Sequence, residues 1–220
     1  MDSSHVIVQL AILVLVLYSV SLHEMGHAYV STWLGDPTPG RYGRLTWNPL
    51  AHLKPVSTAI LFPFIMWFSS KVLFCLALTP VDPTRWKRPL RDSALVAAAG
   101  PAVNFIVAGM LLLVMRIPGV CIDPYSFEPP NYTTIVLPWA TYWIFILGVF
   151  NLLPIPPLDG YSIVRGLIPL QMRQKTDELR RSQFSFLIAI VFGSLIFHRM
   201  QPPFTIFFNR LLPHGLAIPY

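Results

Sequence analysis

His23, Glu24 and His27 stand in the order H-E-x-x-H, and on an α-helix this spacing puts two imidazoles on one face. Imidazoles so placed can ligate one zinc ion, and a carboxylate beside the first can take a proton from an attacking water. The chemistry on offer is therefore metal-assisted hydrolysis. A catalytic zinc takes three protein ligands and keeps one position open, so a third donor is needed. The stretch Asn151-Leu152-Leu153-Pro154-Ile155-Pro156-Pro157-Leu158-Asp159-Gly160 offers one in Asp159. Its carboxylate would offset part of the dication's charge. The prolines cannot continue a preceding helix, and Gly160 permits close backbone approach beside the ligand. Taken alone, Asp159 reads equally well as the cap of a following helix.

The element that must carry the histidines is unusual for a hydrolase. The motif follows a nearly unbroken apolar run from Val6 to Val20, where a chain would enter or cross a bilayer. An ionisable residue there costs about 2.5 to 3.5 kcal/mol on insertion scales, so Glu24 is a functional candidate by its position. Composition agrees: 54% of the 220 residues are hydrophobic and 12% charged, with a mean hydropathy of +0.57, against about 25% charged in ordinary soluble domains. The chain reads as an all-α, multi-pass integral membrane protein. The net charge of +6 falls in short loops beside apolar runs, where the positive-inside rule accounts for it and nucleic acid is not implied. Cys75 and Cys121 lie far apart, so neither a disulfide framework nor a CxxC metal site is indicated. The first apolar run has no basic residues ahead of it and continues into the motif, so it reads as a retained helix rather than a cleaved signal.

Apolar stretches and breakers predict a helix over Val6–Leu34, ended by Gly35, Asp36 and Pro37, and spans at Ser93–Met115 and Thr134–Leu153. Arg44-Leu45-Thr46-Trp47 alternates polar and apolar residues between turn signals and predicts a short edge strand. Thr58–Thr79 is apolar but interrupted at Ser69-Ser70-Lys71. Read as a re-entrant hairpin, it puts the basic clusters at Arg41/Arg44/Lys54, Arg85–Arg91 and Arg165–Arg181 on one side of the membrane, with the amino terminus on the other. Beyond it, Gln171–Arg181 is charged, Phe184–Phe197 is short for a span, and Phe204–Leu212 follows Pro202-Pro203. One membrane-embedded domain over 1–220 is expected, with a core over 6–168 and further helices over 171–213.

Together these stretches resemble the site-2 protease family, intramembrane zinc metalloproteases, in the compact form without a PDZ domain. HEMGH matches the family's H-E-x-x-H, and Asn151 and Asp159 match the N-x-x-P and L-D-G elements. Gly100-Pro101-Ala102-Val103-Asn104 matches the G-P-x-x-N helix, and Asn48–His52 is also similar to compact members. Tyr161 stands where the family often has a second glycine, and Cys75–Pro80 replaces a G-W-A-K-P-V-like stretch. The resemblance implies one Zn2+ per chain held by His23, His27 and Asp159, with Glu24 as general base. It also implies a transmembrane protein or peptide substrate and a prokaryotic cytoplasmic membrane location. A helical substrate hides its carbonyls in backbone bonds and must unwind locally, and the extended segment could pair with an edge such as Arg44–Trp47 or the hairpin. Asn104 and Asn151 could hold the substrate backbone or a developing oxyanion, or bond between helices. His52 could join the site or be structural. A metal-ion transporter or a non-proteolytic scaffold with the same fold are the alternative functions.

Overall fold

The computed structural model describes residues 3–52, 79–121, 132–182, 184–213 and 216–218. Among these, every regular element is helical. The first helix, α1 (Ser3–Trp33), runs unbroken through the H-E-x-x-H segment. At 1.5 Å per residue it is about 46 Å long, more than the roughly 30 Å hydrocarbon core of a bilayer. Gly35 turns the chain at φ 104°, a conformation that favours glycine. The buried Asp36 then collects the loop: its carboxylate accepts from Ser31 Oγ, from the Thr38 amide and, across the chain, from the Asp82 amide at 2.8 Å. Burial alone would raise this carboxyl's pKa, but the hydrogen bonds from Thr38, Asp82 and Ser31 prevail and hold it below the usual range.

Two short turns, α2 (Thr38–Arg41) and α3 (Pro49–His52), bracket the segment expected to be an edge strand. Arg44–Trp47 is not a strand: it forms a bend with no β-pairing among the described residues. Its polar groups go elsewhere. Arg44 Nη1 donates to the Ala51 and His52 carbonyls, and the buried His52 ring bonds to the Thr46 carbonyl through Nε2 at 2.9 Å. Alternation by itself does not make a strand when local side-chain bonds offer the backbone another partner. These contacts give His52 a structural role, and the Arg44–Trp47 edge is not there for a substrate to pair with.

Helix α4 (Pro89–Val114) begins earlier than hydropathy predicts because Pro89 sits in its first turn and Asp92 Oδ2 accepts from the Arg88 amide at 2.9 Å. Helix α5 (Tyr132–Asn151) follows. The helices α1, α4 and α5 are each long and apolar enough to cross a membrane. They are apolar on both sides: Ile12, Val16, Ala108, Ala140 and Ile144 pack inward as one core, while Val14, Ile106 and Leu113 are exposed, as lipid-facing positions require. Small residues set the spacing: a Cβ on Gly26 would lie 3.0 Å from the Ala99 carbonyl, so α1 and α4 approach along the Ala97–Gly100 run.

After α5 the proline-rich Leu152–Leu158 segment bends into α6 (Asp159–Val164) and a 3-10 turn (Arg165–Leu167), followed by α7 (Leu170–Arg181). Tyr161 is buried, its hydroxyl 2.8 Å from both Thr176 Oγ1 and Asp177 Oδ1, so the residue that replaces a glycine anchors α6 to α7. The last helix, α8 (Ser185–Leu211), passes through Pro202 and Pro203 instead of ending there. Phe208 of α8 packs on Tyr142 and Phe145, at ring distances of 5.5 and 5.9 Å, and this tertiary contact sustains a helix that local sequence would break.

Residues 58–78 of the expected hairpin lie outside the described residues, as do Asp123 and Glu128 of the loop after α4. On either side of residues 53–78, Pro49 and Thr79 both contact the same turn of α1: Pro49 O lies 3.4 Å from Ser21 Oγ, and Thr79 Oγ1 3.0 Å from Glu24 O. With Asp36 bonded to Asp82, this sets Arg44 and the Arg85–Arg91 cluster at one end of the bundle.

Candidate metal centre

His23 and His27 lie on the face of α1 that packs against Gly100 of α4, and they and Glu24 are each less than a tenth exposed. Two carbonyl-type oxygens, the Asn104 side chain and the Val96 backbone, fix the rings. His27 Nδ1 lies 2.7 Å from the Val96 carbonyl. A backbone carbonyl only accepts, so Nδ1 of His27 carries the proton and its Nε2 presents a lone pair. His23 Nδ1 lies 2.6 Å from Asn104 Oδ1. The Asn104 amide nitrogen faces Ser19 Oγ and the Ile144 carbonyl, each at 3.4 Å. The Ile144 carbonyl cannot donate, so the nitrogen belongs on that side and the oxygen on the His23 side. This assigns the proton to His23 Nδ1 as well.

With both rings neutral, the two Nε2 lone pairs face each other at 3.0 Å. Asp159 Oδ2 completes the group at 3.2 Å from His23 Nε2 and 3.4 Å from His27 Nε2. This oxygen is buried and has no hydrogen-bond donor. In that state three lone-pair donors lie within 4.8 Å of one another and repel unless a cation lies among them. Two neutral imidazoles and one carboxylate, with the second nitrogen of each ring bonded to an oxygen, are a donor set suited to zinc. The residues present fit the ion.

Close packing delivers these groups. A Cβ on Gly100 would lie 2.5 Å from His27 Nε2 and 2.6 Å from His23 Cε1, so only glycine lets both rings rest on α4. A Cβ on Gly160 would collide with the Leu152 and Leu153 carbonyls, so the bend that brings Asp159 inward also needs glycine. Glu24 is engaged by Thr79, whose Oγ1 is 2.6 Å from Oε2.

The structure thus brings His23, His27 and Asp159 together, with Glu24 beside them. Asn104 is fully buried, bridges α1, α4 and α5, and touches His23. Asn151 donates to Leu147 O at 3.0 Å, closing the last turn of its own helix. Ser19, Thr79, the Val96 carbonyl and the role of Gly100 were not anticipated. Ser19 could have been found, since it lies four residues before His23 on the same helical face. The carbonyl and Thr79 have no sequence signal.

Comparison with known proteins follows the same line. A family model described as Peptidase family M50 matches residues 130–197. The chain is 32% identical over 186 residues to "Putative zinc metalloprotease YwhC" of Bacillus subtilis, covering 82% of this chain and 78% of that protein. It is 30% identical to "Putative zinc metalloprotease Rip2" of Mycolicibacterium smegmatis, covering 80% of this chain and 63% of the relative's length. Against "Zinc metalloprotease MJ0392" of Methanocaldococcus jannaschii the identity is 28%, over 70% of this chain and 33% of the relative. No solved structure matches.

Proposed function

Because the chain belongs to peptidase family M50 and is an intramembrane zinc metalloprotease, we propose that His23, His27 and Asp159 hold its zinc ion and that Glu24 is the general base. The observation that carries this assignment is the convergence of the two imidazoles and the carboxylate, with Asp159 Oδ2 buried and lacking a donor. Zinc held there supplies Lewis acidity, polarising a scissile carbonyl and acidifying water.

The chain's own groups do the rest. Glu24 accepts the proton of the attacking water and returns it to the leaving amine. Asn104 acts through His23, keeping the proton on Nδ1 and the ring in place, and is a positioning residue. Asn151 is the candidate for holding substrate backbone: its bond to Leu147 O uses one amide proton, leaving the second proton and the oxygen to offer. The face of α4 against α1 keeps bulk water from the ligands, which strengthens every charge interaction inside.

Two of the proposed ligands lie on α1, a helix long and apolar enough to cross a membrane, which supports a membrane-spanning segment as the substrate. Its carbonyls are hidden in backbone bonds until it unwinds locally at the site. The finer reading is a single-pass protein or signal-peptide remnant in a prokaryotic cytoplasmic membrane, handled by one domain spanning 1–220. The test is cleavage of a panel of single-pass segments by the reconstituted chain and by Glu24→Gln, with zinc measured in parallel. The amide keeps the shape but cannot accept a proton, so Glu24→Gln should keep one zinc per chain and lose hydrolysis by about two to four orders of magnitude. Cleavage near the wild-type rate by the zinc-loaded variant would remove Glu24 as the base.

A further inference from the structure

We propose that Thr79 is a positioning residue for Glu24, its hydroxyl fixing the carboxylate that serves as general base; the proposal rests on the assignment of Glu24 above. Thr79 Oγ1 lies 2.6 Å from Glu24 Oε2 and 3.0 Å from the Glu24 backbone oxygen. A hydroxyl has one proton to give, and the shorter, charge-assisted bond to the carboxylate takes it. The short distance to the backbone oxygen shows how tightly the residue is seated against α1.

Thr79 is itself held by the residues that follow it. Pro80 follows it and restricts its backbone to extended conformations. Three residues on, the Asp82 amide donates to Asp36 Oδ2 at 2.8 Å. Thr79–Asp82 is therefore a strap laid along the end of α1, pinned at Glu24 and again at Asp36. An untethered glutamate loses rotamer freedom when it is ordered for reaction. The strap orders it beforehand, in the fold. The bond also divides the work of the two carboxylate oxygens: Oε2, already loaded by the hydroxyl, is the weaker acceptor, and Oε1 receives the proton.

The test compares Thr79→Val, which keeps the shape and removes the donor, with Thr79→Ser, which keeps the donor, in the zinc-loaded full chain in liposomes. With the single-pass segment that wild type cleaves fastest, Thr79→Val should lower kcat about ten- to a hundredfold, the scale of a misplaced reacting group. KM and zinc content should stay unchanged, and Thr79→Ser should restore kcat. A wild-type kcat for Thr79→Val, or equal losses in both variants, would overturn the proposal. A second readout needs no substrate: the Glu24 carboxylate band, isolated as an infrared difference against Glu24→Gln in each background. It should be displaced in Thr79→Val and unmoved in Thr79→Ser; an unmoved band in Thr79→Val would overturn the proposal even if no segment were cleaved. Absence of cleavage by wild type, with the band displaced as expected, would count against the protease assignment alone.

Discussion

The two histidines differ in what holds them. His27 donates to a backbone carbonyl, which no substitution of Val96 removes, whereas His23 depends on the side chain of Asn104. Asn104→Ala should therefore weaken zinc binding about 10- to 100-fold, the range seen when a ligand's outer hydrogen-bond partner is lost. Competition with a metal chelator measures this, and an affinity within about threefold of wild type would show that Asn104 serves only to join the helices. The proposed ligands could be picked out of the sequence because helical spacing brings His23 and His27 together and zinc chemistry then demands a third donor. Asn104 could be singled out as an amide on an apolar helix, but not assigned, since its role depends on which of its atoms faces which helix. Thr79 gave no sign, because its relation to Glu24 exists only after the chain has folded back on α1.

Among the elements, α4 does the most for the site, and its sequence shows why it can. Gly100 lies beneath both imidazole rings, so Gly100→Ala should push the rings off α4. Overpacking of this kind costs about 1 to 3 kcal/mol, and the variant should lose zinc affinity even where the chain still inserts. Zinc content and thermal unfolding in detergent separate the two effects; unchanged affinity would mean that the rings can shift without cost. The spans themselves were readable from hydropathy alone. Three details were not: the early start of α4, which turns on Pro89 and Asp92; the bend at Arg44–Trp47, decided by Arg44 and His52; and the passage of α8 through two prolines, sustained by Phe208. Each is a case of a side chain or a packed neighbour overriding the local pattern.

The link between α6 and α7 has its own signature. Arg165 Nε donates to Asp177 Oδ1 at 2.7 Å and Nη2 bonds Oδ2, and this guanidinium holds the Asp177 carboxyl down at about 2. A carboxyl depressed in the folded state contributes stability that is fully present above its unfolded value near 4 and is lost as pH falls through about 2. The partly exposed pair should contribute about 1 kcal/mol once solvent screening is allowed for. Stability measured against pH should accordingly show wild type above Asp177→Asn at neutral pH and the gap closing between about pH 4 and pH 2. A constant gap across that window would assign the difference to packing.

For the molecule as a whole, the contacts at Ser21, Glu24 and Asp36 gather the flanks of residues 53–78 at one end of the bundle. Single cysteines at Arg44 and Arg88 should thus react with an impermeant thiol probe from the same side of a sealed vesicle, the cytoplasmic one by the distribution of basic residues. Labelling from opposite sides would overturn this topology.

The proposed ligands are also divided along the chain, with His23 and His27 on the first span and Asp159 beyond the third. During synthesis the histidines leave the ribosome well ahead of Asp159, by on the order of ten seconds at about 5 to 20 residues per second. Throughout that interval the nascent chain carries an H-E-x-x-H helix with no third ligand. A protease that matures among other newly made membrane segments therefore gains its hydrolytic competence only once α5 has inserted and the Leu152–Leu158 bend has folded inward. With Asp159 as the third ligand, the order of translation would itself keep the half-built enzyme from cutting its neighbours.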